Sequence, residues 1–165
     1  MDNYHTYVNM DESVEWGYIV RSTTENSNGT SNYPYSEENL FNLAEELAPK
    51  PKAVRCLNDN FKLPQYGDVY HGLIEGEEIL RLLTEAGEGG YLIQKLRKSR
   101  QAYMLCFMFN GKAHYYRLDY NYDSGEHFIS NKRFKTVEEL VADVLKTMHL
   151  ELHREDYIRR LKTND

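Results

Sequence analysis

Apolar positions follow a helical period at both ends of the ordered part of the chain and a strand period between them. Residues 1–35 carry no sustained period: the run 22–32 is built from Ser, Thr, Asn, Glu and Gly, and such a composition buries too little surface to offset ordering entropy. A disordered, tyrosine-containing acidic tail is expected there. Ser36 then suits a helix N-cap, with Leu40, Phe41, Leu43, Ala44 and Leu47 on one face and Pro49 and Pro51 as a stop. This short helix and its linker occupy 36–65. It packs either on its own domain or on a partner. From residue 66 the pattern is globular. Ile79, Leu80, Leu82 and Leu83 form a helical stripe within 77–86, ended by Gly87, Gly89 and Gly90. Residues 91–96 read as a strand, and 103–109 as a central strand apolar on both faces. Asn110-Gly111 signals a tight hairpin into a return strand over 112–120, with a short third return at 126–130. Thr136 with Glu139 makes a capping box, followed by the stripe Val137, Leu140, Val141, Val144, Leu145 and Met148. The order predicts an α+β domain over 66–165: a central antiparallel sheet flanked by two helices.

Composition narrows the chemistry. The chain has 165 residues and a net charge of −6, which argues against nucleic acid as a partner. The charge is uneven. Asp2, Asp11, Glu12, Glu15 and Glu25 face Arg21 alone before residue 37, whereas Lys95, Arg97, Lys98 and Arg100 form a basic cluster. The 2 cysteines, Cys56 and Cys106, are too few for a disulfide framework or a four-ligand zinc site, and Cys106 reads as a buried free thiol. No apolar run is long enough to span a bilayer, and no signal peptide is legible. A monomeric cytoplasmic protein is expected, recruited to membrane-proximal complexes. No cofactor is implied and no catalytic pattern is present.

The run Tyr70-His71-Gly72-Leu73-Ile74 is similar to the opening strand of the Src-homology 2 (SH2) family, Gly90-Tyr91-Leu92-Ile93 to the start of its phosphate-binding strand, and 134–141 to its second helix. Within that family the chain most resembles the chimaerins, Rac-directed GTPase-activating proteins, through these runs, Tyr116-Arg117-Leu118, Lys132-Arg133-Phe134, the upstream segment 40–51 and Cys56. The resemblance covers about residues 39–160. It implies a non-catalytic signalling module that binds a protein or peptide and has a link to Rac-type GTPase signalling. A zinc-dependent diacylglycerol-binding domain and a GTPase-activating domain follow in that family. Two cysteines cannot supply the former's ligands, so a short form lacking the catalytic domain is expected.

The same resemblance marks a defect. SH2 domains hold phosphotyrosine with one buried Arg, whose planar fork makes two parallel bonds to the phosphate. The matching run here is Tyr91-Leu92-Ile93-Gln94-Lys95-Leu96. Gln94 takes the Arg position, Leu96 replaces a hydroxyl that meets the phosphate, and Gly76 stands where the first helix offers a second Arg. A phosphate carries about −1.5 to −2 charges. Removing one partner of a desolvated charge pair costs about 3–5 kcal/mol, so the pocket is expected to be degenerate. Arg117 and the cluster Lys95, Arg97, Lys98 and Arg100 support an alternative, a surviving weak phosphotyrosine site; the cluster also reads as a plain solvated loop. Tyr115, Tyr116 and Ile129 are candidates for a peptide groove or for core.

Two further signals stand apart. Tyr7-Val8-Asn9-Met10 resembles a docking motif for other SH2 domains once phosphorylated, which makes Tyr7 a candidate phosphosite and the chain a candidate kinase docking substrate. His149 and His153 are spaced i, i+4, as a metal pair would be; with no third ligand evident, two solvated histidines are expected instead.

Overall fold

A computed structural model describes residues 36–58, 60, 62–96 and 103–163. The N-terminal tail, including Tyr7, and the loop holding Arg97, Lys98 and Arg100 lie outside the described residues.

The chain begins with α1 (Glu37–Leu47) and β1 (Lys52–Ala53), followed by α2 (Gly76–Ala86), β2 (Gly90–Lys95), β3 (Tyr103–Phe109), β4 (Lys112–Asn121), β5 (Glu126–Ile129) and β6 (Lys132–Phe134). Helices α3 (Val137–Leu152) and α4 (Arg154–Thr163) complete it. The strands form one sheet in sequence order, with β1 parallel to β2 and every later pair antiparallel. The expected α+β sandwich is present: α2 packs on one face and α3 on the other.

Local chemistry explains each boundary. Ser36 Oγ accepts the Asn39 amide at 3.1 Å and opens α1. Thr136 Oγ1 accepts the Glu139 amide at 3.1 Å and donates to Glu139 Oε1 at 3.2 Å, so the N-cap half of the expected capping box forms and the carboxylate meets the Thr136 hydroxyl. Asn110 and Gly111 both take positive φ (54° and 74°), the left-handed pair that a two-residue hairpin needs. The Glu88 carboxylate accepts both of their amides, at 2.7 and 2.8 Å, and ties the α2–β2 turn to the hairpin. Gly89 has φ +88°, and a Cβ there would collide with the Lys50 carbonyl, so the approach of the 49–53 segment to β2 requires glycine.

The core has three parts. Ile93, Leu105, Phe107, Tyr116, Leu118 and the stripe of α3 fill the α3 face. Leu92, Met104, Cys106, Met108 and Tyr115 meet Ile79 and Leu83 on the α2 face. Leu40, Ala44 and Ala48 meet Leu150 and Tyr157 in a third cluster between α1, α3 and α4. Thus α1 packs on its own domain.

Several expectations need correction. Leu80 is 40% exposed, so the buried stripe of α2 is Ile79 and Leu83. Residues 70–74 form no regular strand. Segment 69–72 instead lies along β2 through Ile93 N–Val69 O (2.8 Å), His71 N–Ile93 O (2.8 Å) and Lys95 N–Gly72 O (2.9 Å), and Gly72 then turns away at φ 68°. Strands β1 and β6 and helix α4 were not expected from the pattern.

Candidate functional site

The residues that the resemblance assigns to phosphate binding begin as a cross-strand row. Gln94 of β2 pairs with Met104 of β3, which pairs with Arg117 of β4. Residues directly opposite in antiparallel strands share a face, and Met104 packs against α2, so all three lie on the α2 side. The row before it is Leu92, Cys106 and Tyr115. Gln94 is 2% exposed. Its side chain hydrogen-bonds the diagonal neighbour Cys106, whose thiol is pushed far up by burial and drawn slightly back by that bond. The amide is therefore part of a closed, neutral, mostly apolar surface. Leu96 packs half-buried against the same cluster.

Around this row the charge is mixed. Gly76 is the buried first residue of α2 and brings no side chain; its neighbours Glu75, Glu77 and Glu78 give the helix entry a negative character. Glu78 is held below the usual carboxylate range, chiefly by its hydrogen bonds to Arg81. Arg117 has a side chain 46% exposed, with Asp119 Oδ1 3.7 Å from its Nε. A cation so exposed and so partnered attracts an anion weakly.

The structure separates residues that the sequence grouped. Lys95 pairs with Tyr103, which packs on the α3 side, so the pleat turns Lys95 away from Gln94. Tyr115, Tyr116 and Ile129 do not form one groove face. Tyr115 is 8% exposed and joins the α2 cluster, while Tyr116 (0%) and Ile129 (1%) belong to the α3 core. The Tyr116 hydroxyl is consumed by a bond to Met148 Sδ at 3.6 Å. Adjacent residues on a strand always face opposite ways, so that split was available from the sequence. The Gln94–Cys106 contact was not, because it depends on the strand register.

His149 and His153 stack at 4.5 Å between centroids. Among the described residues no group of three or more His, Cys, Asp or Glu is placed to hold a metal ion. No helix among them is long and apolar enough to cross a membrane.

With this geometry in view, the comparisons give the class. Residues 69–143 match the family model of the SH2 domain. The chain carries an SH2 domain, a non-catalytic protein-binding module of a family that binds phosphotyrosine peptides. Two curated relatives carry the likeness further. N-chimaerin of Mus musculus is 36% identical over 132 residues, and N-chimaerin of Homo sapiens is 33% identical over 132 residues. Each alignment covers 79% of this chain, and the chain spans 28% of each relative's length.

Proposed function

We propose that this SH2 domain works as a protein-interaction module in a chimaerin-like GTPase-activating setting, with a phosphotyrosine pocket that has lost its phosphate affinity. One observation supports the reading above the others: Gln94, at the position that the resemblance gives to a phosphate-binding arginine, is neutral, buried and hydrogen-bonded to Cys106. The negative entry of α2 works in the same direction, since it raises the cost of bringing a dianion to that face. The module acts through contacts with protein, within a longer chain or between chains, and a GTPase-activating step belongs to a separate catalytic domain.

Calorimetry of wild type and Gln94→Arg with one phosphotyrosine peptide tests this. The wild type should bind weakly, and the variant should gain about a hundredfold or more, the equivalent of roughly 3 kcal/mol. A variant that folds and gains nothing would show that more than the arginine is missing.

The exposure of Arg117 in the same row favours a second reading, a residual phosphotyrosine site. Phosphate-dependent micromolar binding by the wild type, lost in Arg117→Ala, would establish it.

A further inference from the structure

The SH2 match ends at residue 143, yet the fold continues. Helix α1, from before the match, packs on the C-terminal half of α3 and on α4. Leu40 and Ala44 of α1 are 0% exposed there, against Leu150 at 4% and Tyr157 at 1%. Phe41, Leu43 and Leu47 of α1 and Ile158 and Leu161 of α4 close the seam. Ion pairs mark both ends of the helix. At its start, Arg154, with 12% side-chain exposure, reaches Glu37 at 2.8 Å and Glu151 at 3.1 Å. Toward its end, Lys146, with 17% side-chain exposure, pairs with Glu45 and lies 5.5 Å from the centre of the Phe41 ring. The receiving face is therefore an apolar trough between two mostly buried cations. It selects a helix with an apolar stripe and an acid near each end.

This contact is separable from the rest of the domain. Among the described residues, the two clusters that fill the sheet faces contain no side chain of α1. Ala48 leaves the helix in extended conformation, at φ −72° and ψ 152°, and Pro49 and Pro51 keep the link to β1 from continuing it. Undocking α1 thus leaves both sheet cores in place, and a helix of 11 residues is marginal alone. The fit is also incomplete. At the C-terminal end of α1 an open cavity of about 290 Å³ lies between Leu47, His149, His153, Asp156, Tyr157 and Arg160. A longer or bulkier helix would gain contacts there that α1 does not make.

We propose that the trough of α3 and α4 is a helix-recognition site, independent of the phosphotyrosine pocket: α1 is its tethered occupant, and an acidic amphipathic helix of a partner protein replaces it. Charge complementarity names the class of partner. Its helix carries apolar side chains at the spacing of Leu40, Ala44 and Leu47, and carboxylates at the spacing of Glu37 and Glu45. The tether favours α1, because a short link holds it at a roughly millimolar effective concentration. Exchange therefore requires a better-fitting helix or a weakened α1.

Leu40→Asp in the full chain weakens α1 by setting a charge in the trough. Hydrogen exchange should then show α1 unprotected while β3 keeps its protection. Calorimetry with a synthetic peptide of residues 36–50 should show binding to this variant about tenfold or more tighter than to the wild type, whose trough is filled. The same peptide carrying Glu37→Lys and Glu45→Lys should bind the variant about tenfold or more weakly. Equal affinity for wild type and variant, or for the two peptides, overturns the proposal, as does loss of β3 protection together with that of α1. Should Leu40→Asp fail to fold, Glu37→Arg takes its place in the same measurements, with the same supporting and contrary results, because it sets like charges together at the start of α1. Light scattering on the wild type should report a monomer; a dimer that Leu40→Asp abolishes would assign the trough to α1 of a second copy and overturn the partner reading.

Discussion

The two faces of one sheet have been built to different standards. The α3 face is continuous, from Ile93 through Leu105, Phe107, Tyr116 and Leu118 to the α3 stripe, and its aromatic and aliphatic side chains are almost wholly buried. The α2 face is thinner, with two buried apolar side chains from its helix, Ile79 and Leu83, and it is interrupted by the polar pair Gln94 and Cys106 and by exposed Arg117. The α3 face holds the fold. On the α2 face the buried, neutral Gln94 shares a row with Arg117, and the proposed loss of phosphate binding belongs there. Stability and recognition are therefore separable by substitution.

The contrast is sharpest for a deletion in the α3 core. Leu105→Ala should cost about 2–5 kcal/mol, since Leu105 is 0% exposed in close-packed surroundings; urea unfolding measures it. A cost below about 1 kcal/mol would mean that the α3 face is not the main support. Next comes Arg154→Ala in the third core, which leaves Glu37 and Glu151 without their shared cation. Its partial burial sets the expected loss at about 2 kcal/mol, under the roughly 3–5 kcal/mol of a fully buried pair. Removing the Thr136 cap by Thr136→Ala should cost about 1 kcal/mol. On the α2 face, Gln94→Leu should change stability by about 1 kcal/mol or less. Its bond to Cys106 is weak, and the thiol tolerates an apolar neighbour. A loss above about 3 kcal/mol there would reverse the comparison.

How far the sequence revealed this depended on period and length. Helices α1, α2 and α3 carry stripes and caps that the chain itself spells out, and Asn110-Gly111 fixed the central hairpin. Helix α4 carries little such signal. Tyr157 is its buried residue, and Arg154, Arg159, Arg160 and Lys162 surround it with charge. Strands β1 and β6, of 2 and 3 residues, are too short to show alternation and are defined by their partners. In the pocket, Gln94, Leu96 and Gly76 could be singled out by likeness to a family pattern, because there the identity of the residue was the signal. Strand alternation alone separates Lys95 from Gln94 and Tyr115 from Tyr116; which face each takes, and where Ile129 falls, needed the register.

If the α2 face has lost its phosphate recognition, a phosphate should add little to peptide binding. Calorimetric titration of the wild-type chain with one peptide, in phosphotyrosine and tyrosine forms, measures this. The two affinities should lie within about tenfold of each other, a gap of roughly 1.4 kcal/mol. A phosphorylated form bound a hundredfold or more tighter would contradict it.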